Sequence, residues 1–207
     1  VSASKQHTCV LLADESMRCW GRNDRGQATP PVDLGPVYRI ATGNWHTCAT
    51  LKDGTMRCWG SNMDTQSTIP PDVVQATAAA AGDSHTCALE PYGTARCWGR
   101  GDYGQTTVPP ELNYAVAVAA GSLTSCALAE DGQLRCWGDR NEIPQDAIDA
   151  VDVVGGQDHT CALSRTGRVI CWGGNDYQQT SVPANLKGVI KVVAGRYHTC
   201  AVRSDQE

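Results

Sequence analysis

Short apolar runs, each about the length of a β-strand, alternate along the chain with glycine, proline and Asp-Gly punctuation. One such run, Val192-Val193-Ala194, leads into a glycine. Another, His46-Thr47-Cys48-Ala49-Thr50-Leu51, is followed by Lys52-Asp53-Gly54 and then by Met56-Arg57-Cys58-Trp59. Runs of three to six β-formers bounded by Gly, Pro and Asp predict strands joined by tight turns. Read in order they give strand A, a turn at glycine, strand B, a hairpin, strand C, and a strand D that ends in proline.

The pattern repeats. Cys-Trp-Gly recurs at Cys19, Cys58, Cys97, Cys136 and Cys171, each ten residues after an earlier cysteine: Cys9, Cys48, Cys87, Cys126 and Cys161. Cys200 opens a sixth unit. The spacing is 39, 39, 39, 35 and 39 residues, so the fourth copy is shortened. Four short strands per unit of this length predict an all-β fold, a β-propeller of four-stranded antiparallel blades with five complete repeats and a partial sixth. The expected units are 1–39, 40–78, 79–117, 118–152, 153–191 and 192–207. Together they are expected to form one propeller domain, a segment of a longer chain whose ring has six or seven blades.

The repeated string Ala-Gly-x-x-His-Thr-Cys-Ala-Leu, Asp-Gly, Cys-Trp-Gly-x-Asn, Gly-Gln, Val-Pro resembles the regulator of chromosome condensation repeat family, and it covers the whole chain. Its cysteine-bearing form is similar to secreted bacterial members and to ectodomains of crinkly-type plant receptor kinases. The second β-lactamase inhibitory protein of streptomycetes is a similar, cysteine-free relative. The resemblance implies a propeller, commonly seven-bladed, with binding rather than catalytic roles outside the nucleus.

A chain of 207 residues can bury roughly 70% of its unfolded surface without staples, yet this one carries eleven cysteines. Folding the second copy's hairpin about Asp53 sets Leu51 opposite Thr55 and Cys48 opposite Cys58, on a non-hydrogen-bonded pair where Cβ atoms lie close. Gly54, Gly93, Gly132 and Gly167 supply the left-handed third position of each such turn. Glu15 holds that place in the first copy, so its turn is expected to be strained or differently shaped. Disulfides Cys9–Cys19, Cys48–Cys58, Cys87–Cys97, Cys126–Cys136 and Cys161–Cys171 follow. A metal held by His-x-Cys plus the cross-strand Cys is the rival. In the fourth copy Thr124 replaces the histidine while both cysteines stay, so no metal and no cofactor is expected. Five disulfides place the protein in an extracellular, cell-surface, secretory or periplasmic compartment, which weighs against nuclear guanine-nucleotide exchange.

The charge of −5 disfavours nucleic acid as a partner, and no run of eighteen apolar residues predicts a membrane span. The start at Val1 reads as processed or trimmed, and no Asn-x-Ser/Thr sequon is present. Trp20, Trp59, Trp98, Trp137 and Trp172 follow their cysteines, so strand alternation turns them to the opposite blade face, between blades. His7, His46, His85, His159 and His198 read as structural donors to neighbouring backbone.

In an antiparallel blade the A-to-B and C-to-D loops leave from one rim, the B-to-C turn and the connection to the next blade from the other. Copy-to-copy variation concentrates on the first rim, where Trp45, Arg100, Tyr103, Tyr177, Arg196 and Tyr197 are the candidate partner-binding residues, beside Arg22, Arg25 and Arg140. Aromatic side chains with arginine make interface hot spots. The fourth copy lacks four C-to-D residues, which predicts a notch. No nucleophile motif, phosphate loop or isolated acid pair exists, so the chain reads as no enzyme. The function expected is an extracellular protein-binding scaffold. The alternatives are a structural subunit of an extracellular filament or matrix, and a glycan-binding propeller. Cys200 is expected to pair beyond the chain end or between chains, since Ser204-Asp205-Gln206 aligns with the hairpin loop Lys52-Asp53-Gly54.

Overall fold

The computed structural model describes residues 1–204. The repeats fold into successive antiparallel sheets. The first holds β1 (Ser2–Ala3), β2 (His7–Leu11) and β3 (Met17–Gly21), the second β4 (Val37–Thr42), β5 (His46–Leu51) and β6 (Met56–Gly60). The third holds β7 (Ala78–Ala81), β8 (His85–Leu89) and β9 (Ala95–Gly99), the fourth β10 (Ala115–Ala120), β11 (Thr124–Ala129) and β12 (Leu134–Gly138). The fifth holds β13 (Ala150–Gly155), β14 (His159–Ser164) and β15 (Val169–Gly173). A two-stranded sheet of β16 (Val189–Ala194) and β17 (Thr199–Arg203) completes the described residues.

Each complete sheet has three strands in sequence order, not the four expected. The segment after the third strand makes turns instead of a ladder, with Gly26 N–H on Asn23 O, Thr29 N–H on Gly26 O and Leu34 N–H on Pro31 O. Its prolines, in pairs at 30–31, 70–71 and 109–110, have no N–H to give to a ladder. That segment's carbonyl goes instead to the next sheet, as described below.

The hairpins hold the expected register. Cys48 lies opposite Cys58, Leu51 N–H donates to Thr55 O at 2.8 Å, and the Cα atoms of the two cysteines are 4.1 Å apart. The structure pairs Cys9 with Cys19, Cys48 with Cys58, Cys87 with Cys97, Cys126 with Cys136 and Cys161 with Cys171. Cys200 is free and exposed, and Asp205 and Gln206 of its expected turn lie outside the described residues. Glu15 takes the same left-handed conformation (φ 67°) that Gly54 takes at 85°, so the first turn keeps the common shape on a residue poorly suited to it. In the third copy Tyr92 (φ 71°) precedes Gly93 within a short 3-10 turn, Pro91–Gly93.

Neighbouring sheets share the core face to face. Trp59, Trp98, Trp137 and Trp172 are buried between repeats, whereas Trp20, on the outer face of the first sheet, is 55% exposed. The indole N–H of Trp59 donates to Gln27 O of the preceding repeat at 3.1 Å. The same carbonyl accepts from Thr47 Oγ1 at 2.8 Å, and that hydroxyl meets His7 Nε2 at 2.6 Å. The relay recurs as His46–Thr86–Gln66 O, His85–Ser125–Gln105 O and His159–Thr199–Gln179 O. His7, His46, His85 and His159 are therefore structural, but each reaches the next repeat's hydroxyl and not backbone, while His198 makes no such bridge among the described residues. Between the fourth and fifth sheets the relay is missing. Thr124 has no ring to offer and donates to Asp139 O within its own repeat, the shortened loop holds no equivalent glutamine, and Trp172 Nε1 is buried without a partner.

Candidate functional site

The variable rim is built by two kinds of segment, and each is anchored from below. In the loops after the third strands a wholly or nearly buried glutamine turns its side-chain oxygen back onto the backbone two residues earlier. Gln105 Oε1 accepts from Tyr103 N–H at 3.0 Å, and Gln179 Oε1 from Tyr177 N–H at 2.9 Å. Asn23, Asn62 and Asn175 close the same loops by accepting the N–H five residues on. A buried glutamine thus fixes the backbone that carries Tyr103 and Tyr177. The second segment, the A-to-B turn, is held by a glycine or serine N–H bonding across to the histidine or threonine at the start of the next strand.

The loop of one repeat lies beside the A-to-B turn of the next, and this decides which candidates meet. Tyr177, from the fifth repeat, stacks on Tyr197 of the sixth with ring centroids 4.4 Å apart, and the Arg196 guanidinium lies 4.3 Å from the Tyr197 ring centre. Arg22, from the first repeat, lies 4.6 Å over Trp45 of the second while its Nε and NH2 hold Asp24. Arg100 and Tyr103 stand apart from both groups. Their neighbouring turn offers Ser122-Leu123, which has no aromatic ring, and Arg100 pairs with Asp102 of its own loop at 2.7 Å. Tyr103 and Tyr177 are exposed, Trp45, Arg196 and Tyr197 half-buried. At the shortened fourth loop, the Arg140 guanidinium lies close to Gly174 of the next repeat.

Sequence reasoning missed a second feature of this rim. While Trp45 lies under Arg22 and Tyr197 against Tyr177 of the loops, the residues before them line a cavity. Lys5, Asn44, Asp83, Gln157 and Arg196 line one cavity of about 60 Å³, to which all six repeats contribute wall atoms. Glycines make this approach possible: a Cβ at Gly43 would stand 2.4 Å from Gly82 O, and one at Gly82 2.4 Å from Gly121 O. Burial holds the Asp83 carboxyl above its usual range, opposed by the Ser122 hydroxyl that donates to it at 2.8 Å and by Lys5. The available signal was the polarity of the first residue in most turns, legible only once the turns are known to converge.

The arrangement has relatives. The crinkly WD40 ectodomain of the Arabidopsis thaliana receptor kinase ACR4 superposes with a TM-score of 0.78 at 24% identity, over 97% of this chain and 75% of that one. The entire ectodomain of the Physcomitrella patens receptor kinase CR4 gives 0.72 at 25% identity over 84% of this chain, which spans 49% of that larger chain. Yeast RCC1 (Prp20), solved with Kap60 bound to it, gives 0.79 at 17% identity over 98% of this chain and 67% of that one. Among curated proteins none is significantly similar in sequence. The regulator of chromosome condensation (RCC1) repeat matches at residues 1–27, 37–66, 76–105, 115–142 and 150–179, and every span but the fourth ends on a buried glutamine, Gln27, Gln66, Gln105 or Gln179. Those five matches cover well over half of the chain, which therefore belongs to the RCC1 repeat family.

Proposed function

We propose that this chain is an extracellular, non-catalytic scaffold, one propeller domain over residues 1–207, that binds a protein partner through the rim of Trp45, Arg100, Tyr103, Tyr177, Arg196 and Tyr197. The observation that carries the reading is the Arg196–Tyr197–Tyr177 stack. It is a preorganised, partly exposed aromatic and guanidinium surface of the composition found at interface hot spots. Five disulfides support a compartment outside the reducing cytosol. Two fold relatives are receptor ectodomains, which supports a recognition role, and binding of other proteins is a use to which the yeast relative's fold is put. Among the described residues no helix is long and apolar enough to cross a membrane.

The test compares two double variants for quantitative capture of a protein from the extracellular fraction of the source organism. Tyr177→Ala with Tyr197→Ala should weaken capture by more than about 1.5 kcal/mol, and Lys52→Ala with Glu130→Ala on the opposite rim should leave it unchanged. Equal loss from both pairs would refute the rim assignment. Tyr177-dependent binding on a glycan array in place of protein capture would replace the partner class.

A further inference from the structure

On the turn-bearing rim the third and fourth repeats place two tyrosines side by side. Tyr92 sits in the B-to-C turn of the third repeat and Tyr114 at the entry to β10 of the fourth, 95% and 70% exposed. Their turns touch: a Cβ at Gly93 would stand 2.6 Å from Tyr114 Cα. Tyr114 holds left-handed backbone (φ 51°) at the place where the next two repeats put Asp149 and Gly188, residue types that suit it better. Rings this exposed add little to the core, and apolar surface gathered in one place marks a site of interaction. Together the two tyrosines line a groove of about 630 Å³ with Val108, Pro109, Pro110 and Leu112.

The charge beside this groove follows from a broken pattern. At three other joints a carboxylate after the third strand pairs with an arginine of the next repeat's hairpin: Asp33 with Arg57 at 3.3 Å, Asp72 with Arg96 at 2.8 Å and Asp146 with Arg168 at 2.5 Å. Glu111 and Arg135 have the same separation in sequence as the first two pairs, yet they do not meet. The Arg135 guanidinium turns instead to Gln133 Oε1 at 2.9 Å and Leu134 O at 3.1 Å. A second groove of about 470 Å³ lies there, sharing Leu112, Asn113 and Tyr114 with the first, and its charged lining is Glu111, Glu130 and Asp131 against Arg135. Among the described residues none of these three carboxylates makes an ion pair, and Arg96 of the first groove is engaged by Asp72 and Glu90. The continuous surface is therefore apolar and aromatic at one end and negative at the other.

We propose that this surface docks an extended, proline-rich segment of a partner protein that carries an arginine or lysine, the prolines against Tyr92, Tyr114 and Pro110 and the cation at Glu111. Proline-rich segments hold a polyproline II shape before binding, so they lose little entropy on docking, and aromatic-lined grooves are the surfaces that take them. Opposite charge at the Glu111 end selects a basic neighbour, which the Tyr114 ring face also favours. A neutral glycan would find rings to stack on but would leave the carboxylates without a countercharge. The site goes beyond the loop-rim reading and is independent of it, being on the opposite rim and taking a different kind of segment.

The experiment titrates the full chain with acetyl-hexaproline-Arg-Arg amide by calorimetry, with the Glu-Glu peptide of the same length and acetyl-hexaserine-Arg-Arg amide as controls. The first should bind saturably and each control should bind more weakly by about tenfold. Tyr92→Ala with Tyr114→Ala should weaken the first peptide by about tenfold while all five disulfides map unchanged. Tyr92→Ala alone, at a ring that faces solvent, should weaken it several-fold and serves if the double variant does not fold. Glu111→Gln should cut the preference for the Arg-Arg over the Glu-Glu peptide by about threefold. Tyr177→Ala with Tyr197→Ala on the other rim should leave all three titrations unchanged, so this site and the loop rim can fail separately. No saturable binding of the hexaproline-Arg-Arg peptide, equal binding of the hexaserine peptide, or no loss in Tyr92→Ala overturns the proposal. Tyr92-dependent binding to a neutral glycan without peptide binding also overturns it, in favour of a glycan site.

Discussion

The geometry around each bridging histidine leaves one choice of proton. Gln66 O can only accept, so the Thr86 hydroxyl spends its hydrogen there at 2.8 Å and must accept from His46 Nε2 at 2.8 Å. His46 is thus held as the neutral Nε2–H tautomer, its Nδ1 buried against Gly43 with no partner. Burial is the main cause that pushes its pKa down to about 3, and it takes His7 and His85 to about 4. A folded-state pKa below the unfolded value means that the unfolded chain binds protons more readily. The stability these residues contribute is therefore complete above about pH 6.5, and it falls away as pH drops toward 4 and then 3. Thermal unfolding as a function of pH should show Tm falling through this window, with a shallower fall in His46→Gln. That variant should itself lose about 1–3 kcal/mol at pH 7, because the Thr86–Gln66 relay loses its ring donor. A Tm that does not change between pH 7 and pH 4 would contradict this account.

At the scale of the repeat, a deletion explains a missing hydrogen bond. The shortened fourth copy lacks the loop residues that bring a glutamine carbonyl to the next sheet, so Trp172 Nε1 has no acceptor whereas Trp98 Nε1 donates to Gln66 O at 3.0 Å. Both indoles are buried to the same degree, at 8% exposed, so replacing either by phenylalanine costs similar packing. The difference lies in the hydrogen bond. Trp98→Phe should destabilise by about 1 kcal/mol or more beyond Trp172→Phe, measured by urea unfolding, since only the former breaks a bond while the latter removes an unsatisfied donor. Equal losses would mean that Trp172 Nε1 has found a partner. The joint between the fourth and fifth sheets is accordingly held by apolar packing of Leu128, Val153, Ile170 and Trp172, without the relay found at the other joints of the described residues.

Across the described residues the disulfides each join cysteines ten positions apart within one hairpin, and none links one sheet to another. Each should contribute about 2–3 kcal/mol by restricting its own unfolded hairpin. Reduction should therefore lower Tm markedly, and replacing Cys87 and Cys97 by alanine together should remove one such contribution while the other four bridges map unchanged. This locality is also why the bridges were legible in the sequence: Cys48 and Cys58, the turn at Gly54 and the register between them are fixed by a dozen consecutive residues and the period of a strand. The burial of Trp59, Trp98, Trp137 and Trp172 was legible for the same reason, as a matter of alternation along one strand, whereas Trp20 stays exposed on the outer face of the first sheet. Three features were decided by tertiary structure. The segment expected as a fourth strand carries proline pairs, and its Gln27 carbonyl is claimed by both Thr47 and Trp59 of the next repeat, so it stays a loop. The partners of the rim aromatics were decided by which loop lies beside which turn, so Tyr177 meets Tyr197 while Tyr103 stands alone. The cavity among the A-to-B turns exists because glycines 43, 82, 121 and 156 let backbone approach backbone between repeats, bringing Lys5 and Arg196 to one space from opposite ends of the chain. The sequence by itself determined what lies within one repeat, where every contact is local. Contacts between repeats join residues some forty positions apart, and only the stacking of the sheets selects them from the alternatives.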